Sequence, residues 1–406
     1  MQPVAIAEAH PKTERRIVVV GADDFANDLR TLLDRHAIDI EQVDRLDAVD
    51  SVTSVDAALF GMLEDIDAVV NASQRLRQAN PQCLRVFIHP DDTVVCARVF
   101  DYVHQVMPES RARTALIPTL QRCFRLREVL LRANSEMALS GLESLPSLPH
   151  VYHEFVRASQ CESVEFAELA DIVEHDIALS ARILGLANSA HFGLNSTVTS
   201  IQHAISVLGL EMLSALVTAT SLFGALTDGR SARRLETLWM HASNVSQLAI
   251  AIASCERSIS RADRAEVAQA GLLHDIGQLA ILTRIPDAHR IIDKASVHDG
   301  IEVCELERRE LGATHSEIGA CLLAYWGVSE RTVEATALHH NIAAASRHED
   351  PVVSAVFAAN ALLAQEDGGT ASYLLNRTPD DDELDSYFGQ QRVGKWRFEL
   401  ARYRGD

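Results

Sequence analysis

The sequence predicts two folded parts, a doubly wound α/β domain followed by an all-helical domain. The chain has 406 residues, which is more than one hydrophobic core usually serves. Short β-branched runs alternate with helical spacing over about 110 residues, and beyond the two prolines of GLESLPSLPH only helical spacing continues. We therefore expect an α/β domain at 14–125, a helical linker at 126–140, a helical domain at 141–365, and an acidic segment with a helix at 366–406.

The α/β domain is predicted from four strand signals. RRIVVVGADD (15–24) is a β-branched run that ends at a glycine and two acids, and a segment of helical spacing follows it. VDAALFGM (55–62) and LRVFIHP (84–90) repeat the strand signal on either side of the helical DIDAVVNASQRLRQAN, while FDYVHQVMP (100–108) gives a weaker last strand. Strands that alternate with helices predict a parallel sheet covered on both faces.

Composition limits the partners. Lys and Arg number 37 against 57 Asp and Glu, a formal net charge of −20, and no basic run with interleaved aromatics offsets it. We therefore expect no direct binding to nucleic acid or to a membrane.

Three observations concern the compartment of the protein. The seven cysteines are odd in number and never spaced as CxxC. The apolar stretch ALVTATSLFGAL (215–226) is too short to span a bilayer, and the N-terminus lacks a signal-peptide pattern. A cytoplasmic protein with reduced thiols is the expectation.

The strand and helix order resembles the receiver domain of response regulators. Asp23 and Asp24 match the acidic pair that holds magnesium in that family. Gly61 stands where receivers carry the phosphorylatable aspartate, and Met107 stands where a lysine precedes Pro108. An aspartyl phosphate needs the carboxylate nucleophile and a neutralising cation, so the resemblance implies a degenerate receiver, or pseudo-receiver. The alternative for Asp23 and Asp24 is that they only cap the helix that follows.

The segment from about 112 to 137 has apolar residues near heptad spacing, among them Leu116, Leu120 and Cys123. A last receiver helix that packs on its own sheet explains this spacing. Pairing with its copy in a homodimer is the alternative, because a heptad stripe can also form a weak coiled coil.

Four stretches of the second part resemble the HDOD domain, an HD-related output domain of bacterial signalling proteins. They are FAELADIVEHDIALSARILGLANSAHFGLNSTVTSIQHAISVLGLEMLSAL (166–216), GLLHDIGQLAIL (271–282), ELERRELGATHSEIGACLLAYWGVSE (305–330) and ALHHN (337–341). The resemblance implies an all-helical fold allied to the HD and HD-GYP phosphohydrolases. It also implies a role in signal transduction.

Helical spacing places polar residues of these motifs on apolar faces. His241 lies at helical steps from a stripe of apolar residues. Residues from Val267 to Ile281 repeat these helical steps, which puts His274 and Gln278 on one core-facing side and Asp275 at its edge. A lone histidine on such a face is usually a hydrogen-bonded core residue. Spacing alone therefore does not decide whether these histidines are core residues or metal ligands.

The resemblance implies a metal centre that has lost part of its charge. The residues that match a two- or three-metal centre of iron, manganese or zinc are His241, His274, Asp275, His315, His339 and His340. Three other positions depart from the family pattern: Gln278 replaces a lysine, Asn360 replaces a last aspartate, and Thr237 replaces a glutamate. Catalysis needs preorganised charge, so we expect vestigial ligands and no catalytic residue.

The leading hypothesis is a non-enzymatic regulatory protein of signal transduction. Its pseudo-receiver would be coupled to an HDOD module that acts through contacts with signalling proteins. The competing class is a metal-dependent phosphohydrolase or phosphodiesterase that acts on a cyclic dinucleotide or a nucleotide. A third class binds a nucleotide without cleaving it. No cofactor follows from the residues alone; the resemblance implies a divalent metal.

Overall fold

The fold is taken from a computed structural model. It describes residues 15–21, 38–43, 55–61, 66–80, 83–91, 99, 102–132, 150–159, 165–175, 179–180, 183–184, 198–226, 232–256, 260–299, 301–366 and 378–404.

The first part of the chain forms a five-stranded parallel sheet. Its strands are β1 (Arg15–Gly21), β2 (Ile38–Val43), β3 (Ala57–Gly61), β4 (Leu84–His89) and β5 (Gln105–Pro108). Their order across the sheet is β2-β1-β3-β4-β5, and every neighbouring pair is parallel. This is the order of one common class of doubly wound folds.

A helix covers each face of this sheet. The helices are α1 (Ile66–Ala79) and α2 (Glu109–Arg132). Successive residues of β1 point to opposite faces: Val18 belongs to the apolar cluster that contains Leu76 of α1, while Val19 belongs to the cluster that contains Leu116 of α2. Both faces are therefore buried, which is why these strands read as continuous apolar runs.

The sequence predicted four of these strands and missed β2. Its segment IDIEQV alternates apolar and acidic residues, and parallel pairing with β1 fixes it as an edge strand. A short segment with charged residues has a low intrinsic preference for β-structure. This strand therefore forms because it pairs with β1, which the sequence alone does not reveal. Asp23 and Asp24 lie outside the described residues.

The rest of the described chain is helical. Its elements are α3 (His150–Ser159), α4 (Phe166–Glu174), α5 (Ile201–Leu208), α6 (Leu210–Leu226), α7 (Ala232–Glu256), α8 (Arg261–Leu273), α9 (Ile276–Arg284), α10 (Pro286–Asp299), α11 (Val303–Leu311), α12 (His315–Tyr325), α13 (Glu330–Leu338), α14 (Ile342–Arg347), α15 (Pro351–Glu366), α16 (Asp381–Phe388) and α17 (Gln390–Arg404).

The helical steps over 267–281 run through two helices and not one, although His274 and Gln278 are both buried, as predicted. The chain leaves the helix after Leu273, turns at His274 and Asp275, and begins α9 at Ile276. The apolar spacing continues across the turn because both helices bury the same side, so spacing alone could not detect the break. The turn brings both polar residues of the HD pair into the interior, where they are almost fully buried.

The sheet domain docks on the C-terminal end of α12. Gln105 Nε2 donates to the carbonyl oxygens of Ala324 at 2.9 Å and Tyr325 at 3.2 Å, and the Cys123 thiol donates to the Ala324 oxygen at 3.5 Å. The ring of His104 lies edge-on to the ring of Tyr325. These bonds satisfy carbonyls that a helix end leaves without partners. The helix α2, predicted to pack on its own sheet, thus also contacts the helical part.

The C-terminal helices pack on the bundle. Trp396 of α17 is fully buried, and its indole Nε1 donates to Glu256 Oε1 of α7 at 2.6 Å. Arg392 forms a two-pronged bond to the same carboxylate at 2.5 and 2.8 Å. The acidic run before α17 forms α16, which buries Leu384 and Phe388. Among the described helices, none is long and apolar enough to cross a membrane.

Candidate metal centre

Five elements bring the predicted ligands together. His241 projects from α7, and His274 and Asp275 lie in the turn between α8 and α9. His315 begins α12, while His339 and His340 follow directly after α13. All six residues are candidate ligands from the sequence, and the fold brings them into one cluster in which five are buried and His340 is half-buried.

Two glycines allow α9 and α12 to approach closely at this cluster. A Cβ atom on Gly277 would lie 1.9 Å from the carbonyl oxygen of His315 and 2.8 Å from the backbone nitrogen of Gly319. A Cβ on Gly319 would lie 3.0 Å from the backbone nitrogen of Gly277. Side chains at either position would force the helices apart, so the glycines set how near His315 lies to Asp275.

Asp275 divides the cluster into two groups of ligand atoms. Its Oδ1 lies 3.4 Å from His315 Nε2 and 3.4 Å from His339 Nε2, and those two nitrogens are 3.3 Å apart. His340 Nε2 joins this group at 3.1 Å from His315 Nε2. The other oxygen, Oδ2, lies 3.3 Å from His274 Nε2. One carboxylate therefore faces two sets of imidazoles.

His241 completes the second group. Its Nε2 lies 3.3 Å from His274 Nε2 and 3.7 Å from Asp275 Oδ2. The amide oxygen of Asn360, on α15, lies 3.1 Å from the same nitrogen. Asn360 thus contacts the site at the place where the family pattern has an aspartate, and it brings an oxygen without a charge.

Hydrogen bonds fix which nitrogen of each ring faces the centre. His274 Nδ1 lies 2.7 Å from the carbonyl oxygen of Gly271, and His339 Nδ1 lies 2.7 Å from that of Thr336. A carbonyl oxygen can only accept, so Nδ1 carries the proton and a neutral ring presents an Nε2 lone pair to the cluster. Lone pairs that face one another at such distances require a cation between them, either a proton or a metal ion.

The spacing of these atoms fits a metal ion. A tetrahedral ion with bonds of about 2.0–2.1 Å holds neighbouring ligand atoms about 3.3–3.4 Å apart. His315 Nε2, His339 Nε2 and Asp275 Oδ1 form a triangle with sides of 3.3, 3.4 and 3.4 Å. The group around His241 is slightly wider, at 3.3 to 3.7 Å. Imidazoles and a shared carboxylate suit zinc, iron or manganese.

The charges of the cluster are strongly coupled. Burial opposes ionisation of Asp275, but the neighbouring imidazoles, led by His274, hold the pKa of this carboxyl well below its usual range. Burial lowers the pKa of His339 to about 4 and that of His340 well below its usual value. Burial also opposes protonation of His315, but the Glu307 carboxylate outweighs it and raises the pKa of this ring well above its usual value.

Glu307 is a site residue that sequence reasoning missed. It lies on α11, is 3% exposed, and its Oε2 accepts from both the backbone N–H and the Nδ1 of His315 at 2.8 Å. A carboxylate behind a metal-ligating histidine fixes the tautomer and raises the basicity of the ring. In the sequence, Glu307 is one of several acids in ELERREL, but it alone lies at helical steps of four from both Val303 and Leu311, a spacing that predicts the buried face.

The remaining predicted positions are placed as follows. Gln278 Nε2 donates to Asp275 Oδ1 at 3.2 Å, so this amide is directed at the shared carboxylate. Thr237 lies exposed on α7, one turn before His241. In the sheet domain, Gly61 ends β3 and Met107 lies in β5, both buried.

A cavity of about 240 Å³ opens onto the cluster. His241, Asp275, His339 and His340 form its inner wall, and the described residues that line it include no lysine or arginine. Cavities that hold drug-sized ligands usually measure about 300–1,000 Å³. The cavity therefore fits a metal ion with a small group more readily than a large polyanion.

Comparison with known proteins identifies the helical part. Residues 145–342 match the HDOD domain family. A protein of Treponema pallidum (strain Nichols), itself uncharacterised, is 27% identical over 225 residues, or 55% of this chain. The match covers 42% of that protein, so it spans less than half of the relative's length.

Two crystal structures resemble this fold. An HDOD domain protein of unknown function from Geobacter sulfurreducens is 22% identical with a TM-score of 0.51, and the match covers 70% of this chain and 94% of that one. A candidate phosphohydrolase from Shewanella amazonensis SB2B is 25% identical with a TM-score of 0.51, and the match covers 67% and 96% of the two chains. The chain studied here thus contains an HDOD domain at residues 145–342.

Proposed function

We propose that this chain is a non-hydrolytic signalling protein in which a pseudo-receiver acts on an HDOD domain built around a divalent-metal centre. The observation that carries the proposal is the cluster itself. Five imidazoles and one shared carboxylate lie at ligand spacing, next to a cavity whose described lining has no lysine or arginine. The site is suited to holding metal, but it lacks the protein charge that phosphoryl chemistry requires.

His241, His274 and Asp275 would hold one ion, and Asp275, His315, His339 and His340 would hold another. A bound ion supplies positive charge and Lewis acidity. The chain's own residues supply less positive charge than the family pattern does. Gln278 directs its amide at Asp275, whereas the lysine of the family pattern would bring a charge toward a substrate phosphate. Removing one preorganised electrostatic contact lowers kcat by about 10²–10³.

The regulatory part of the proposal is supported by the position of α12. This helix begins at His315, within the cluster, and ends at Tyr325, whose carbonyl oxygen accepts from Gln105 of the sheet domain. A packed helix moves as a rigid element, so a shift of the sheet domain would act on the ring of His315. The HDOD domain would present the resulting change to a downstream signalling protein.

A metal-dependent phosphohydrolase is the second candidate function. The likeness to the candidate phosphohydrolase from Shewanella favours it, as does the convergence of the ligands. The small cavity and its described lining count against a cyclic dinucleotide or nucleotide as substrate, because phosphate groups are usually recognised by arginine or lysine. The same lining disfavours a sensor of free nucleotides.

The hydrolysis test separates these functions. We expect the wild-type chain, loaded with manganese, iron or zinc, to release no product from cyclic di-GMP or a simple phosphodiester above a His274→Ala control. The double substitution Gln278→Lys with Asn360→Asp restores two of the three charges that the family pattern has and this chain lacks, and we expect activity to appear in that variant alone. Turnover by the wild type well above the His274→Ala background would contradict the non-hydrolytic proposal.

The pseudo-receiver proposal has its own test. The strand order β2-β1-β3-β4-β5 and the glycine at the end of β3 support it. Incubation with acetyl phosphate and magnesium should leave the mass of the chain unchanged, because Gly61 has no carboxylate to form an acyl phosphate. A stable gain of one phosphoryl group that disappears in Asp23→Ala or Asp24→Ala would overturn this assignment.

A further inference from the structure

A thiol, that of Cys304, lies beside the histidine cluster next to His315. Cys304 and Glu307 are three residues apart on α11, so both project from one face of that helix. Ligand atoms of Cys304, Glu307 and His315 all lie within 4.8 Å of one another. Cys304 also lines the cavity that opens onto the cluster, so an ion in that cavity can reach it.

The surroundings of Glu307 favour a cation. Its side chain is 3% exposed, and the Oε2 atom accepts hydrogen bonds from the backbone N–H and the Nδ1 of His315. A buried carboxylate is costly unless it is paired with a cation or bound to a metal. Cys304 and His315 are the groups next to it that could share a metal.

We propose that Cys304, Glu307 and His315 form a thiolate-containing metal site that takes a borderline-soft divalent cation of the zinc class. The inference rests on the proposed function, because the new site shares His315 with that centre. Thiolate sulfur, imidazole nitrogen and carboxylate oxygen are each established ligands of zinc. Manganese and magnesium prefer oxygen ligands, so the thiol makes this site selective among the metals that the histidine cluster accepts.

Binding at this site follows a defined proton balance. The ion displaces the thiol proton, which passes to solvent, and the single proton of the neutral His315 ring moves from Nδ1 to Nε2, so that Nδ1 becomes a ligand atom. The Nε2 atom lies 3.4 Å from Asp275 Oδ1 and can then donate its proton to it. As a neutral ring, His315 therefore serves either the thiolate site or the Asp275 group, but not both.

Cobalt(II) is the probe for this site, because a cobalt–thiolate bond gives an intense charge-transfer absorption that imidazole and carboxylate ligands do not. The full-length chain, stripped of metal and titrated with Co²⁺ without oxygen, should develop this band. Cys304→Ser should lose it. Cys255→Ser is the matched control, since Cys255 is also half-buried but lies on α7 with its thiol bonded to the carbonyl oxygen of Ile252. That variant should keep the band.

Two further measurements keep the test independent of how the variants fold. Zn²⁺ should protect Cys304 of the wild-type chain, and not Cys255, from alkylation, as read by peptide mass. Glu307→Gln should weaken the Co²⁺ affinity read from the charge-transfer band by more than the roughly 10- to 100-fold that is lost with an outer partner of a metal ligand, because Glu307 is itself a ligand of this site.

The outcomes distinguish the Cys304 thiolate site from the histidine metal centre of the proposed function. Cobalt that binds without a charge-transfer band, or a band that survives Cys304→Ser, would overturn the thiolate site and leave the histidine centre standing. Equal alkylation of Cys304 with and without Zn²⁺ would do the same. Failure of the wild-type chain to bind Co²⁺ or Zn²⁺ at all would instead overturn the metal centre and the thiolate site together.

Discussion

Gly277→Ala should lower the free energy of unfolding of the helical domain by about 3 kcal/mol or more, the upper end of the range for overpacking. The new methyl group would lie 1.9 Å from the carbonyl oxygen of His315 and 2.8 Å from the backbone nitrogen of Gly319. Both are backbone atoms, so no side-chain rotation can relieve the contact. The helices α9 and α12 must separate, and His315 must then move away from Asp275.

Urea unfolding followed by circular dichroism would measure this loss, and metal content after reconstitution would report on the site. Gly394→Ala is the matched control. Gly394 is an exposed helical residue of α17, and a Cβ atom there meets nothing within 4 Å. Alanine is favoured over glycine in a helix by about 0.5–1 kcal/mol, so this variant should be slightly more stable than the wild type. A Gly277→Ala protein with unchanged stability and full metal content would contradict the close approach of α9 and α12.

Gly277 and Gly319 illustrate what the sequence could predict of this site. Each glycine belongs to a motif that resembles a known family, so both motifs were identified from their order along the chain. Their contact was not predictable, because the motifs are about forty residues apart and only the packing of α9 on α12 brings them together. The six candidate ligands were predicted in the same way. Each was assigned by matching its position in a motif to the family pattern, which requires no knowledge of the structure between the motifs.

Helical spacing was a weaker guide than the motifs. It placed His274 on a core-facing side with Asp275 at its edge, but it did not reveal that the chain turns at those residues and orients Asp275 between two sets of imidazoles. Spacing detects burial, and both sides of the turn are buried, so it carries no information about the break. Glu307 and Cys304 were missed because their role depends on His315, which lies in the next helix.

Replacement of Asp275 by alanine should cost about 3 kcal/mol of stability in the metal-free chain, because breaking a buried ion pair leaves charged and polar groups uncompensated. Asp275 is the acceptor for Gln278 Nε2 and lies within 3.4 Å of three imidazoles. Asp382→Ala is the control. Asp382 is exposed near the start of α16, where a substitution should change stability by less than about 0.5 kcal/mol.

The dependence of this difference on pH follows from the direction of the pKa shift. The carboxyl group of Asp275 has a pKa well below its usual value in the folded chain. A group with a depressed pKa contributes stability that is fully present above its unfolded pKa, about 3.9, and is lost as the pH falls through the folded pKa. The free energy of unfolding of the wild type should therefore exceed that of Asp275→Ala by the same amount from pH 6 to 8. This difference should disappear only in acid.

Asp275→Asn separates the structural role of this residue from its role as a ligand. The amide keeps the size of the side chain and one oxygen, so it should retain more stability than alanine does. It removes the charge that both ligand groups share, because Oδ1 faces His315 and His339 while Oδ2 faces His274. Metal content measured after dialysis should fall in Asp275→Asn even where the melting curve stays close to that of the wild type. Full metal content in this variant would mean that the imidazoles bind without Asp275, and the bridging role assigned to this carboxylate would be wrong.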